Sequence, residues 1–444
     1  MGAQHPAQIA KGAVLAKPLP DPTKADNVFG GWYADSGLTQ AYNFGNTLTA
    51  NLILYAKWEA AHIHQWGEWT ATTIEGTEQR VCGTDQSHIE HRLTGTDRFS
   101  FKLGYTPDDE AVYFLSKGDV TTGAVYIPSY YRPNIDSDFL RVVDIAYFDN
   151  CIGLTSITIP EGITGIISGA FAGCSNLTSI TVDVSNPFFT GEGGVLYAEE
   201  YTRLWAYPSA SGAVTIPAGV LSIESDAFHS CTNLTSVTIP EGVTYIGNKA
   251  FYNCTSLTSV TIPASVTSYI DSDTFRNCTS LTSIMIDSNN SNYTSEGGAL
   301  YNKEKTRLIA YPSASGAVTI PASVTSIGSY AFYGCTSLTS VTIPSGVTEI
   351  GMRAFFDCTR LTSITIPEGV TSIGSMAFAG CTSITSVTIP ASVTAMGNYA
   401  FYNWTSSQTI YIEGHASYTA ANTAWGGSTW RVDCEATIVY QGGN

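Results

Sequence analysis

Leu234-Thr235-Ser236-Val237-Thr238-Ile239-Pro240-Glu241-Gly242-Val243-Thr244-Tyr245-Ile246-Gly247-Asn248-Lys249-Ala250-Phe251-Tyr252-Asn253-Cys254 is one turn of a repeat that fills most of the chain. Leu234, Val237 and Ile239 have the spacing of a short strand with one apolar edge turned inward. Ser236 and Thr238 alternate with them and point outward. Pro240 has no N–H, so the strand ladder stops at the same corner in every turn. Ile239-Pro240-Glu241-Gly242 suits a type I turn, with proline second and glycine fourth. Val243 and Ile246 turn apolar groups inward again, and Ala250, Phe251 and Cys254 close the coil in a short helical or irregular turn.

Working outward, the tripeptide Thr-Ile-Pro or a close relative places Ile127, Ile159, Ile216, Ile239, Ile262, Ile320, Ile343, Ile366 and Ile389 in one column. Val182, Ile286 and Ile412 take the same slot without the proline, and the commonest spacing is 23 residues. A second column runs in phase through Cys151, Cys174, Cys231, Cys254, Cys278, Cys335, Cys358 and Cys381, with Trp404 in the ninth place. No coil can bury its own apolar side, so the coils must stack, and the array is a mainly β solenoid of about a dozen coils. Two spacings of 34 residues hold an insertion. Glu192-Gly193-Gly194-Val195-Leu196-Tyr197 and Glu296-Gly297-Gly298-Ala299-Leu300-Tyr301 open it, and Tyr207-Pro208-Ser209-Ala210 and Tyr311-Pro312-Ser313-Ala314 end it. Charged tips at Glu199-Glu200 and Lys303-Glu304-Lys305 mark two hairpins, expected to project from the coils at equivalent places.

The 23-residue period, the Ile-Pro corner, the Ala-Phe-x-x-Cys turn and the hairpin insertion together resemble the BspA-type leucine-rich repeat family over residues 120–434. Ile412 to Cys434, with Trp425, resembles that family's closing cap, and the last coil needs a cap because its core would otherwise face water. Nearer the start, Phe29-Gly30-Gly31-Trp32-Tyr33 and Leu54-Tyr55-Ala56-Lys57-Trp58 resemble the internalin-type B-repeat, or Listeria–Bacteroides repeat, a β-grasp-like module. Its first strand is expected to be missing, leaving a truncated module poorly ordered near residues 1–20. The expected division is 1–60 for this module, 61–98 for a short linker module, 99–150 for an N-terminal solenoid cap, 151–412 for the repeat solenoid and 413–444 for the C-terminal cap. A capping strand is expected near Val125–Ile127.

The chain has 444 residues, and 43% of them are hydrophobic, enough to exclude wholesale disorder. A net charge of −17 argues against nucleic acid or anionic membrane as a partner. No apolar run approaches the roughly 20 residues of a membrane helix. Met1-Gly2-Ala3-Gln4-His5-Pro6 lacks the cationic cap and apolar stretch of a signal peptide. The expectation is a piece of a longer surface protein, with signal and anchor outside it, that is monomeric in dilute solution.

Signs of chemistry are few. His62, His64, Cys82 and His88 could supply a tetrahedral zinc set. Only one of them is a cysteine, no Cys-x-x-Cys accompanies it, and solvated histidines are the stronger account, so no metal or other cofactor is assigned. The cysteine column sits at a repeated apolar slot, where a reduced thiol packs like Ala or Val. Catalytic signatures of the Gly-x-Ser-x-Gly, His-Glu-x-x-His and Gly-Lys-Ser/Thr kinds are missing from the sequence, so no enzyme is expected. Asp271-Ser272-Asp273 reads as a local turn cap.

The binding candidates are outward strand residues, Ser236, Thr238, Ser259, Thr261, Ser340, Thr342, Ser363 and Thr365, which line up coil over coil. Thr favours strands in any case, so each alone is accounted for by sheet pairing, and the surface as a whole is the candidate. Tyr252, Tyr333, Phe356 and Tyr402 follow the buried Phe and belong on another side, where a ligand that stacks would bind. The resemblance implies a bacterial cell-surface adhesin that binds a host extracellular-matrix protein of the fibronectin or fibrinogen class, or another surface protein. The alternatives are a spacer stalk and a glycan-binding module.

Overall fold

The computed structural model describes residues 27–34, 55–60, 67–68, 70–71, 77–81, 89–94, 99–105, 110–118, 122–132, 140–425 and 429–442. The chain packs as two compact units, Met1–Ser209 with Ile216–Ile223, and Ala210–Thr215 with Glu224–Asn444. The expectation of poor order near residues 1–20 lies outside the described residues.

In the first unit, Asn27–Tyr33 and Tyr55–Ala60 form an antiparallel pair with a register shift between Phe29 and Trp32. Gly30-Gly31 lies in that shift, as a bulge favours glycine. Strands Thr77–Val81 and Ile89–Thr94 pair with each other, and Ile89–Thr94 runs parallel to Tyr130–Arg132. Residues 61–98 and 99–150 therefore share a sheet. Strand Thr122–Tyr126 pairs in parallel with Gly153–Ile159, the first full repeat strand. A continuous core follows, with Leu154, Ile157, Ile159 and Leu177 wholly buried.

In the second unit, Gly212–Thr215, Leu234–Thr238, Ser259–Ile262 and Ser283–Ile286 form one parallel sheet. Gly316–Thr319, Leu338–Thr342 and Ser363–Ile364 form another. Most coils also carry a two-residue second strand at the Ile246 position of the repeat, the coil of Ile270 being an exception. Ser326–Ile327, Glu349–Ile350, Ser372–Ile373 and Ala395–Met396 stack as a second ladder. Between the ladders lie Phe332, Phe355, Phe378 and Phe401, all with no exposed surface. Their rings stack 5.0, 5.4 and 5.7 Å apart in turn. The Phe332, Phe355 and Phe378 amides donate to the Ala354, Ala377 and Ala400 carbonyls of the next coil at 2.8–2.9 Å.

The hairpins depart from the expectation that they project. Tyr293–Glu296, Ala299–Asn302 and Arg307–Ala310 form an antiparallel meander. Its last strand pairs in parallel with Ser326–Ile327, so the insertion starts the second ladder. Ala299, Leu300 and Leu308 are wholly buried, while Lys303 and Glu304 at the tip and the Glu296-Gly297 turn stay exposed. In the first unit, Phe189–Glu192, Val195–Ala198 and Arg203–Ala206 repeat this and pair on to Ser222–Ile223. The reason is a buried asparagine. The Asn290 amide donates to Pro263 and Val266 carbonyls at 2.9 Å, and its Oδ1 accepts from the Asn292 and Tyr293 amides. It ties the corner of one coil to the first strand of the meander. Asn186 does the same with Pro160, Ile163, Phe188 and Phe189.

The corner turn also differs from expectation. The Val243 amide donates to Pro240 O at 3.4 Å, so proline is first in the turn rather than second. Gly242 and Gly219 are then third, at φ 109° and 111°, where glycine is favoured. At the C-terminal end lie helix Tyr418–Ala424, capped at Ser417, and strand Thr437–Gln441 on Thr409–Glu413. Trp404 and Trp430 pack edge-on against the last Phe, Phe401, and Trp425 packs on Trp430.

Candidate functional site

The outward strand face stands where the sequence placed it. Ser236 pairs with Ser259, which pairs on to Ser283, and Thr238 pairs with Thr261, which pairs on to Met285. Ser340 pairs with Ser363 and Thr319 with Thr342. The structure brings Ser236, Thr238, Ser259 and Thr261 together in one sheet and Ser340, Thr342 and Ser363 in another. Thr365 is exposed just beyond strand Ser363–Ile364. Thr238, Thr261 and Thr342 are exposed, and the serines range from half-buried to exposed. A neighbouring threonine column has a different task. Thr258, Thr282 and Thr362 donate their hydroxyls to Thr235, Thr258 and Thr339 carbonyls, so this column stitches coils together. The eight candidates make no such bond, and their hydroxyls are left to face solvent.

The cysteine column does more than fill space. None of the nine described cysteines is in a disulfide, and all are buried. Cys254, Cys278, Cys358 and Cys381 donate their thiols to the Phe carbonyls of the preceding coils, Phe228, Phe251, Phe332 and Phe355, at 3.0–3.1 Å. Trp404 takes the same place with its indole N–H on Phe378 O at 2.8 Å. The slot selects for a small donor, which Ala or Val would not supply. Burial pushes the Cys335 thiol up to about 12 and lifts Cys278 and Cys358 well above the ordinary value. These are not nucleophiles.

A second surface lies on the flank formed by the Ala-Phe turn. In most turns two positions adopt the left-handed region, two residues before the Phe and two after it, while the Phe275 turn has only the later one. The later column holds Ser230, Asn253, Asn277, Gly334, Asp357, Gly380 and Asn403, mostly the residue types that tolerate this conformation. The earlier column holds Asp226, which tolerates it, and Lys249, Tyr330, Arg353, Met376 and Tyr399, which do not. Their side chains join the residue after each Phe in a layer of rings and cations. Tyr333 stacks on Phe356 at 5.0 Å, and Arg353 lies over Tyr330 and Phe356. Tyr252, Tyr333, Phe356 and Tyr402 are thus on the flank, as expected. Asp271 Oδ1 accepts from the Asp273 amide at 3.0 Å, the turn cap read from the sequence. Asp273 is 3.8 Å from Arg276, an ion pair the sequence did not signal. His62, His64, Cys82 and His88 lie outside the described residues.

Stacked parallel coils, each with a strand, an Ile-Pro corner and an Ala-Phe turn, define a leucine-rich-repeat solenoid. The sequence profile of the BspA type leucine rich repeat region matches residues 137–189, 207–315 and 311–424, more than half of the chain, and the chain belongs to that family. Residues 2–57 match the Listeria-Bacteroides repeat domain. Both are typical of surface proteins, and solenoids of this family are typically binding or structural proteins that work by protein interaction.

Among solved structures, the chain is similar to the pneumococcal vaccine antigen PcpA, with 20% identity and a TM-score of 0.50, covering 78% of this chain and 84% of that one. It is also similar to a leucine rich cell surface protein from Faecalibacterium prausnitzii, with 26% identity and a TM-score of 0.49, covering 78% and 94%. Over 49 residues it is 47% identical to a putative Gly-rich membrane protein of Evansella cellulosilytica, a match that covers 11% of this chain and 6% of that relative. No helix among the described residues is long and apolar enough to cross a membrane.

Proposed function

We propose that this chain is the binding part of a bacterial cell-surface adhesin. Its solenoid would grip a host extracellular-matrix protein of the fibronectin or fibrinogen class, or another surface protein, through the outward strand face. The observation that carries this is the set of in-register, unengaged hydroxyl columns, Ser236/Thr238 over Ser259/Thr261 and Ser340 over Ser363. A face with little charge and many hydroxyls can exchange water for a partner's hydrogen bonds over a wide area without burying an unpaired charge. The fold fixes no ligand by itself, so the partner class rests on the family.

The test is binding of the whole chain to an immobilised panel of matrix proteins. Thr261→Arg and Thr342→Arg, both at exposed positions, should leave folding within about 0.5 kcal/mol of the parent. They should abolish saturable binding to the panel member recognised. Silence across the panel would move the assignment to a stalk that displays some other binding element.

A further inference from the structure

The two insertions match position for position at an offset of 104 residues, Glu192 against Glu296, and they part at three exposed places. Val184, Phe188 and Leu221 are 73%, 49% and 46% exposed. Their counterparts in the second insertion are polar, Ser288, Asn292 and Thr325. Two of those tie coils together, since Asn292 Nδ2 donates to Thr267 O and Thr325 Oγ1 to Thr306 O. The side chains of Phe188 and Leu221 can make no such bond. The tips differ as well. Glu199, Glu200 and Tyr201 stand where the second tip has Lys303, Glu304 and Lys305. All three residues of the first tip are left-handed, at φ 50°, 53° and 68°, whereas only Lys305 is so in the second. The connections are equally long, so loop length does not impose this run, which is unfavourable for residues with side chains.

Register brings these differences into one row. Phe189 pairs with Ala198, Ala198 with Arg203 and Arg203 with Ser222. The next residues outward are Phe188, Glu199, Thr202 and Leu221. They are joined in turn, since the Glu199 amide donates to Phe188 O at 3.4 Å, the Thr202 amide to Glu199 O at 3.1 Å and the Leu221 amide to Thr202 O at 2.7 Å. Phe188 and Leu221 therefore lie three strand spacings apart, about 14 Å. The acidic tip stands between them. Glu199 pairs with Arg203 at 2.8 Å, while Glu200 is exposed and has no partner among the described residues.

We propose that this row docks an extended segment of another protein in which a cationic side chain has an apolar one two residues to either side. In an extended chain the side chains at i, i+2 and i+4 share a face, and the outer two lie about 13–14 Å apart, the spacing of Phe188 and Leu221. The outer pair packs on Phe188 and Leu221, and the cation between them meets Glu200 and Glu199. A helix needs about nine residues to cover 14 Å, and the ninth then points to the opposite side. Acidic segments are turned away by the tip. The row lies on strands other than those of the hydroxyl columns and does not rest on the matrix-protein reading.

The test is calorimetric titration of the whole chain with the blocked peptide Gly-Leu-Thr-Lys-Thr-Leu-Gly. Two controls accompany it, one with glutamate in place of lysine and one, Gly-Leu-Thr-Lys-Leu-Gly, whose leucines face opposite sides. The first peptide should bind with a Kd of about 1 mM, and both controls at least about tenfold more weakly. A net charge of −17 attracts any cation, but the shortened peptide has the charge of the first and isolates the row. Phe188→Asn with Leu221→Thr installs the residues with which the second insertion folds, leaves the charge unchanged and should weaken binding about tenfold. Glu200→Gln, at an exposed position, should weaken it about threefold and serves if the double variant fails to fold. No binding, equal binding of either control, or binding unchanged in the variants would overturn the proposal. So would a dimer in sedimentation equilibrium that the double variant dissolves, since a second copy would then cover the row.

Discussion

Raising the pH from 7 to 10 should unfold the repeat array through its thiols. A cysteine has an ordinary value of 9.0 here. In the second unit, burial raises Cys278, Cys335, Cys358 and Cys381 far beyond it. For Cys254 the hydrogen bond with Cys231 comes first, and burial adds to it. A group raised in the folded state contributes stability that is complete below its unfolded value and is lost as pH climbs toward the folded one. At pH 10 the unfolded thiol is about ten-elevenths ionised, whereas the folded one stays protonated, so each contributes a loss of about 1.4 kcal/mol. Five such thiols together lose about 7 kcal/mol, as large as the whole stability of many domains. The assay is urea unfolding followed by far-UV circular dichroism at pH 7, 9 and 10. Cys358→Ala should be less stable at pH 7, having lost its bond to Phe332 O, yet less sensitive to pH by one thiol. An unchanged urea midpoint at pH 10 would refute the argument. So would rapid alkylation of native protein at pH 8, or an intact mass lower by two protons per cysteine pair.

Three further outcomes follow from other parts of the fold. Met376 adopts a left-handed backbone at φ 56°, so Met376→Gly should raise stability by about 1 kcal/mol, and a fall in melting temperature would contradict the strain argument. Asn290→Ala removes four bonds from a wholly buried side chain and should cost about 2–4 kcal/mol, with faster hydrogen exchange at the Asn292 and Tyr293 amides. A cost under about 0.5 kcal/mol would show that the meander docks without it. Burial raises Asp226, Asp273 and Asp357, so their contribution is present in acid and lost toward neutrality. Their contribution to the melting temperature should therefore grow as pH falls toward the ordinary value of 3.8, and Asp357→Asn, which removes one such group, should lessen that growth; an unchanged pH profile in this variant would count against it.

The period, the two in-phase columns, the strand face and the closing cap were legible because each is a repeated residue type with a repeated cause. Ile239 and Phe251 announce their roles by recurring in other coils. The second ladder was not legible, since a strand of two residues such as Tyr245–Ile246 has no alternation to detect. Hairpin docking was missed because it rests on Asn290, a single polar residue in a segment that reads as loop. The shortened turn of the insertion coil had a signal that could have been found, since aligning Leu308 with Ile327 exposes two missing residues before Tyr311. The donor role of the cysteines was hinted at by Trp404, which shares with cysteine an N–H or S–H to give and little else.

That donor role gives the buried side-chain bonds one direction along the stack. The thiol bonds, and those of Thr258 and Thr362, all run from a later coil to a carbonyl of an earlier one. Backbone bonds run both ways, since the Phe332 amide gives forward to Ala354 O and the Thr348 amide gives back to Thr325 O. The side-chain direction holds at the C-terminal end, where Trp404 gives to Phe378 O, Gln408 to Cys381 O and Ile384 O, and Trp425 to Val393 O. Each of these buried donors is satisfied only by a segment that precedes it in the chain, so excising a coil would strand the donor of the coil that follows.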